Sequence, residues 1–127
     1  MSDEMNKPGR TGMTRIFYAT GYSFKGIKAA WTHEAAFRQE LTLMILMLPA
    51  AFWLGQTGEQ RILLIIPLFM VVIAELVNSA LEAVVDRIGT EHHVLSGQAK
   101  DIGSAVVFFS LILVFLSWGI IAWQRFI

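Results

Sequence analysis

The segment from Ala105 to Trp123, AVVFFSLILVFLSWGIIAW, runs for 19 residues without a charged side chain. A helix rises ~1.5 Å per residue, so a helix of this length spans about 28 Å, close to the ~30 Å hydrocarbon core of a bilayer. Trp118 and Trp123, toward the end of the segment, are typical of the aromatic belt at a membrane interface. The segment therefore predicts a transmembrane helix.

The composition fits a membrane protein as well. Hydrophobic residues make up 55% of the 127-residue chain and charged residues 16%, against about 45–50% and roughly 25% in soluble domains. Ten Lys and Arg balance ten Asp and Glu, which argues against nucleic-acid binding and against a disordered chain. The absence of cysteine excludes disulfides and zinc–thiolate sites. We expect a single domain over residues 13–127, with residues 1–12 disordered.

Two further apolar segments reach spanning length only when they are extended into neighbouring sequence. Residues 62–74 are apolar, and the segment becomes long enough if the helix continues through Glu75 to Val85. Residues 41–55 are extended in the same way by residues 35–37. Prolines within these segments are tolerated because neighbouring helices satisfy the freed backbone groups. The sequence predicts an all-α membrane protein with three transmembrane helices, over about residues 35–55, 62–85 and 104–124.

Basic residues are concentrated at and before the start of the first predicted span. This region holds six of the ten Lys and Arg residues, namely Lys7, Arg10, Arg15, Lys25, Lys28 and Arg38. The predicted loop 86–103 carries two more, whereas the loop 56–61 carries only Arg61. Because cytoplasmic connections are rich in Lys and Arg, we expect the N-terminus and the 86–103 loop in the cytoplasm. The C-terminus is then on the opposite side of the membrane.

The segment before the first span mixes apolar and basic residues. Aromatic and aliphatic side chains alternate with Lys and Arg in a pattern typical of an amphipathic helix that lies in the membrane interface. We expect this surface helix over about residues 13–33, with Gly21 and Gly26 breaking it into pieces. The alternative is a linker that only tethers the first span.

The second predicted span carries an unusual set of polar residues. At ~100° per residue, Glu75, Asn78, Ser79, Glu82 and Asp86 fall within roughly 100° of one helix face. An ionised side chain at the centre of a bilayer costs about 2.5–3.5 kcal/mol on the insertion scale. Such residues are therefore candidates for function. A submerged Glu75 suits a general base, and Glu82, nearer the interface, suits a ligand for a divalent cation.

Two alternatives to catalysis stay open for these polar residues. They could join helices by hydrogen bonds, as polar groups in membranes often do, or they could form a proton or ion pathway. Two familiar motifs are excluded. His33–Glu34 does not begin a zinc-protease HExxH because residue 37 is Phe, and the glycine pair 21 and 26 does not form a P-loop because residue 27 is Ile.

The segment Ala74–Ala105 resembles the motif E-x-x-N-S-A-x-E-x-x-V-D of bacterial diacylglycerol kinases. It reads AELVNSALEAVVDRIG over its first half. The upstream segment Gly21–Glu40, GYSFKGIKAAWTHEAAFRQE, is similar to the N-terminal segment of the same family. The resemblance extends from about Thr14 to Trp123 and so covers nearly the whole chain.

This resemblance implies a function and an assembly. It implies ATP-dependent phosphorylation of diacylglycerol to phosphatidic acid, with Mg²⁺, at the cytoplasmic face of a bacterial inner membrane. The C-terminus would then be periplasmic. It also implies a trimeric helical bundle, a homotrimer of three-span subunits that share active sites between neighbours. Undecaprenol kinases share the glutamate-rich core, and a polyprenol is therefore an alternative substrate.

The resemblance also implies roles for individual residues. Glu75 matches the catalytic base, Asn78 matches a polar residue of the same site, and Glu34 and Glu82 match the ligands of the divalent cations that bridge the ATP phosphates. Further positions match nucleotide contacts: Arg15, Tyr22, Glu91, His92, His93, Lys100 and Asp101. Together with Glu75, several positions match the lipid side: Arg15, Ser23, Trp31, Gln39 and Ser104.

Two positions depart from the family's pattern. His92 stands in place of a Tyr and Phe24 in place of a Trp, and both substitutions keep a ring at the position. The nucleotide or lipid contacts at these positions are therefore expected to be adjusted rather than lost. Two hypotheses outside lipid phosphorylation stay open: a small ion or proton transporter, and a non-catalytic membrane assembly factor.

Overall fold

The computed structural model describes residues 11–127 and contains four helices in that range. They are α1 (Gly12–His33), α2 (Ala35–Leu54), α3 (Gly58–Ile88) and α4 (Val94–Phe126). Helices α2, α3 and α4 are long and apolar enough to cross a membrane, and no strand occurs in the described range. The predicted all-α class with three transmembrane helices is confirmed. Of the segment expected to be disordered, residues 1–10 lie outside the described residues, and Gly12 belongs to α1.

Helix α1 is one continuous helix of 22 residues, so the expected break at Gly21 and Gly26 is wrong. A glycine inside a helix costs only about 1 kcal/mol relative to alanine, and no proline accompanies either one. The hydroxyls of Thr20 and Ser23 donate to carbonyls four residues back, at 2.8 and 3.0 Å, and are thus satisfied within the helix. Its position on a membrane surface stays a prediction.

A single residue, Glu34, separates α1 from α2. Its extended backbone (φ −120°, ψ 106°) ends one helix and begins the next. The side chain of Arg38, one turn into α2, donates from Nη1 to the carbonyls of Trp31 (2.6 Å) and Thr32 (3.3 Å). These carbonyls belong to the last turn of α1, where backbone acceptors lack partners within the helix. Arg38 therefore holds the elbow that carries Glu34.

Helices α3 and α4 form an antiparallel hairpin, and α2 packs on α3. Near the start of α3 and the end of α4, a buried cluster joins the three helices through Ala51, Leu54, Leu64 and Ile121. The indole Nε1 of Trp118 in α4 donates to the carbonyl of Leu64 at 3.1 Å. Pro67 interrupts the α3 hydrogen-bond ladder close by, and a donor from a neighbouring helix supports the backbone there.

The connection between α3 and α4 is shorter than expected. The predicted loop over residues 86–103 is wrong in its extent, because α3 continues to Ile88 and α4 begins at Val94. His93 caps α4, since its Nδ1 accepts the backbone N–H of Leu95 at 3.1 Å. Only residues 89–93 lie between the two helices, and Lys100 and Asp101 are helical. Helix α4 thus begins well before the apolar segment does, because a helix can extend beyond the part that is apolar enough for a bilayer.

Large apolar side chains cover much of the outer surface of the long helices. Phe115 is 77% exposed, and Leu46 and Phe109 are 66% exposed each. Soluble monomers rarely expose contiguous apolar patches above a few hundred Å². A surface of this kind fits contact with lipid chains or with further copies of the chain.

Candidate active site

The polar residues of α3 lie along one face and become more exposed toward its end. Glu75 is buried, with 5% of its surface exposed. Asn78 and Glu82 are half-buried, and Asp86 is exposed. The helix spacing expected from the sequence is thus present in the structure, and it leads from an enclosed carboxylate to a solvent-accessible one.

Three other carboxylates, from separate parts of the chain, act electrostatically on Glu75. Glu34 at the α1–α2 elbow, Glu40 in α2 and Glu82 in α3 all lie close enough to Glu75 for direct electrostatic repulsion. Glu34 is the extended residue between α1 and α2, and Glu40 lies in the second turn of α2. Four like charges in a partly enclosed region need a compensating cation or protons, so the arrangement is suited to binding positive charge.

Glu40 is a member of this group that the sequence analysis missed. It lies within the first predicted span, in the second turn of a mainly apolar helix. The reasoning that singled out Glu75, an acidic residue inside a membrane-crossing helix, applies to Glu40 equally. The signal was therefore present in the sequence.

Asn78 joins Glu82 on the face of α3. Its Nδ2 donates to Glu82 Oε1 at 3.3 Å. Its Oδ1 is buried and has no hydrogen-bond partner among residues 11–127. The amide thus restrains one carboxylate of the site and directs its oxygen at α4.

A cleft of about 520 Å³ lies at the turn between α3 and α4. Four residues of the predicted nucleotide set line it: Glu91, His92, His93 and Lys100. Lys100 Nζ lies 2.9 Å from Asp86 Oδ1, which also lines the cleft. Lys100 precedes the third predicted span, and its hydrogen bond with Asp86 and the charge of that carboxylate raise the pKa of the ammonium group. The cleft therefore presents a lysine that is cationic at neutral pH.

A second, mainly apolar cavity of about 510 Å³ lies between α1 and α3. Ser23, Ile27 and Glu34 line it from α1 and the elbow, and small residues of α3 such as Ser79 and Ala83 form the facing wall. It places one predicted lipid-side residue, Ser23, in the same cavity as a predicted cation ligand, Glu34. A cavity with apolar walls and a carboxylate at its edge can hold an amphipathic molecule.

The other predicted site residues line neither of these two cavities, and they include Glu75, Asn78 and Glu82 on α3. Tyr22 is half-buried and lies under the Lys25 ammonium, 5.6 Å from the ring centre. The rest are exposed and line neither cavity: Arg15, Trp31, Gln39, Asp101 and Ser104. One chain thus assembles part of the predicted set.

The described residues contain no cluster of three His, Asp or Glu side chains arranged to hold a metal by themselves. Mg²⁺ is usually bound by one or two carboxylates together with water and substrate phosphates. The donors near Glu75 are carboxylates from separate elements, which is the hard-oxygen chemistry that Mg²⁺ prefers. The group therefore fits a cation that is held jointly with a phosphorylated substrate.

The amino-acid sequence is similar to those of known proteins over most of its length. The family model described as prokaryotic diacylglycerol kinase matches residues 21–122. The chain belongs to this family. It is 52% identical over 116 residues to a diacylglycerol kinase of Escherichia coli strain K12, covering 91% of this chain and 95% of the relative. Diacylglycerol kinases of Haemophilus influenzae and Pseudomonas aeruginosa are 50% and 46% identical, covering 86% and 89% of this chain and 92% of each relative.

Membership of the prokaryotic diacylglycerol kinase family confirms the resemblance seen in the sequence, and with it the prediction of a lipid kinase. Both segments that carried the resemblance lie within the matched range. Together with three helices long enough to cross a bilayer, the family indicates a multi-pass protein of the bacterial inner membrane.

Proposed function

We propose that this protein transfers the γ-phosphoryl group of ATP to the free hydroxyl of diacylglycerol and releases phosphatidic acid and ADP. The observation that carries the proposal is the buried Glu75, which shares a face of α3 with Asn78, Glu82 and Asp86, the last of which lines the α3–α4 cleft. Relatives of similar length that are named diacylglycerol kinase support the same substrate. The reaction would occur at the cytoplasmic face, where ATP is available.

Glu75 is the proposed general base. In the reaction, the lipid hydroxyl oxygen forms a bond to the γ-phosphorus while the bond to the β–γ bridging oxygen breaks, and ADP departs. The hydroxyl proton passes to the Glu75 carboxylate. A buried carboxylate suits this task because few water molecules can compete for the proton or the phosphoryl group.

Glu34 and Glu82 are the proposed ligands of Mg²⁺. The bound cation would neutralise charge on the ATP phosphates, which is a main requirement of phosphoryl transfer. Asn78 restrains Glu82 by its 3.3 Å hydrogen bond, so that the carboxylate has fewer orientations to lose when the cation binds. Glu40, which lies in the same carboxylate group, adds negative charge that favours cation binding.

The α3–α4 cleft is the proposed nucleotide site. Lys100 would exchange part of its ion pair with Asp86 for a phosphate oxygen, since phosphate and carboxylate oxygens both accept charge-assisted hydrogen bonds from an ammonium group. Glu91, His92 and His93 line the same cleft and would contact the nucleoside.

The cavity between α1 and α3 is the proposed entry for the lipid. Its apolar walls would hold acyl chains, while Ser23 and Glu34 face the polar end of the molecule. The exposed residues Arg15, Trp31, Gln39 and Ser104 would reach the site from a neighbouring subunit of a homotrimer. A site shared in this way explains why one chain assembles only part of the set.

The proposal is tested with purified protein in mixed micelles that contain one lipid alcohol at a time, with γ-labelled ATP and Mg²⁺. We expect label in phosphatidic acid with diacylglycerol, and weaker labelling of ceramide-like alcohols and undecaprenol. A clear preference for undecaprenol would replace the substrate. Absence of transfer to every lipid alcohol, together with ion flux in proteoliposomes without ATP, would contradict the proposal and favour a transporter.

A further inference from the structure

Gly103 lies buried in α4, against the face of α3 that carries Asn78. A Cβ atom added to Gly103 would overlap with Asn78 Oδ1, and it would also stand 3.3 Å from Asn78 Cγ and 3.4 Å from Leu81 Cδ1. Gly119 differs, since a Cβ there meets nothing within 4 Å. The restriction at Gly103 thus comes from its contact with Asn78 and is not shared along α4.

The Asn78 amide has only one workable orientation in this place. An ionised Glu82 carboxylate is only an acceptor, so the amide nitrogen must face it, and Nδ2 does so at 3.3 Å. The amide oxygen then faces Gly103, where it is buried without a hydrogen-bond partner in the described chain. A buried acceptor left unpaired costs stability. The packing of α4 on α3 therefore holds the amide in an orientation that leaves its oxygen without a hydrogen bond.

We propose that Gly103 is a positioning residue for the Glu82 carboxylate. Its missing side chain leaves the space that the Asn78 oxygen occupies, and the amide nitrogen is thereby kept pointing at Glu82. This inference rests on the proposed function, because it gives Glu82 the role of a cation ligand. Gly103 itself touches neither substrate nor cation.

A methyl group at position 103 would displace the Asn78 amide and weaken its hydrogen bond to Glu82. The carboxylate would then be free to take several orientations, and the cation would have to order it on binding. Changes to residues behind a metal ligand typically weaken metal affinity by about 10–100-fold. The expected effect is therefore on the Mg²⁺ requirement, with little effect on lipid binding.

The test compares Gly103→Ala with Gly119→Ala, a matched control on the same helix. In detergent micelles, binding of a fluorescent non-hydrolysable ATP analogue is titrated with Mg²⁺, and the thermal midpoint is measured without metal. We expect Gly103→Ala to raise the half-saturating Mg²⁺ concentration about tenfold, near the lower end of the usual range. Gly119→Ala should stay within about twofold of the parent protein, since its added methyl meets no neighbour.

The double variant Gly103→Ala, Asn78→Ala separates positioning from general packing. If Gly103 acts through Asn78, the double variant needs the same Mg²⁺ concentration as Asn78→Ala alone. Effects that multiply would overturn the inference, and so would a lower thermal midpoint in Gly103→Ala with an unchanged Mg²⁺ requirement. Where Gly103→Ala does not fold, recovery of folded protein by Asn78→Ala supports the inference, and continued failure contradicts it. Lack of analogue binding by the parent protein would instead overturn the proposed function.

Discussion

Glu75 and Glu82 are two turns apart on one helix but differ in their surroundings. Glu75 is buried within electrostatic range of other carboxylates, whereas Glu82 is half-buried and accepts a hydrogen bond from Asn78. An enclosed carboxylate is suited to taking a proton from a substrate, and a more accessible one can meet a cation that arrives with ATP. Residues of the same type thus acquire different proposed tasks from their depth along α3.

The proposed role of Glu82 as a cation ligand can be tested by changing this residue alone. Replacing Glu82 with Gln removes one negative charge while keeping the side-chain shape. We expect the half-saturating Mg²⁺ concentration to rise about tenfold or more, because loss of a residue behind a ligand already costs about 10–100-fold. Excess Mg²⁺ should restore part of the activity. The measurement is a Mg²⁺ titration of kinase activity at saturating ATP, with Glu59→Gln as control, since Glu59 lies exposed at the other end of α3. An unchanged Mg²⁺ requirement would contradict the role.

The helices themselves show how far the sequence could be interpreted. Apolar length and the polar face of α3 predicted three spans and the alignment of Glu75 with Glu82, because both depend on local periodicity. The end of hydrophobicity was a poor guide to the end of α3, which continues to Ile88. The Glu34 elbow and the contact between Gly103 and Asn78 depend on which helix faces meet, and local patterns carry no such information.

The hydrogen bond between Trp118 of α4 and Leu64 of α3 is expected to stabilise the packing of these two helices. Trp118→Phe removes the indole donor to the Leu64 carbonyl while keeping an aromatic ring. Interhelical hydrogen bonds in membranes contribute about 0.6–2 kcal/mol, so we expect faster thermal inactivation in micelles and near-parental activity at low temperature. Trp123→Phe is the control, because Trp123 is 65% exposed. Equal inactivation rates for the two variants would show that the hydrogen bond contributes nothing.

In the whole molecule, a single chain leaves apolar surface uncovered and several predicted site residues outside the two cavities. Large apolar side chains are exposed on the long helices, and the predicted contacts Arg15 and Gln39 are exposed and line neither cavity. A homotrimer, which is implied by the sequence resemblance, would cover part of that apolar surface and bring residues of one subunit to the site of the next. The extent of such sharing follows from tertiary and quaternary contacts, which no motif in one chain reveals.

The trimer is tested by the mass of the protein in detergent. Static light scattering with separate refractive-index and absorbance detection gives the protein mass free of bound detergent. We expect three times the 14.2 kDa chain mass. A mass of one chain in an active preparation would contradict shared sites and would require all substrate contacts to come from a single subunit.

In the proposed mechanism, Glu75 accepts the proton of the lipid hydroxyl during phosphoryl transfer. The most direct test measures turnover of diacylglycerol by Glu75→Gln in mixed micelles, beside Glu59→Gln, with analogue binding and oligomer mass measured on the same samples. We predict unchanged mass, retained nucleotide binding and a loss of turnover of about 10²–10⁴-fold for Glu75→Gln, the usual contribution of a general base. Glu59→Gln should match the parent protein. Turnover by Glu75→Gln within a few-fold of the parent protein would contradict the role of Glu75 as the general base.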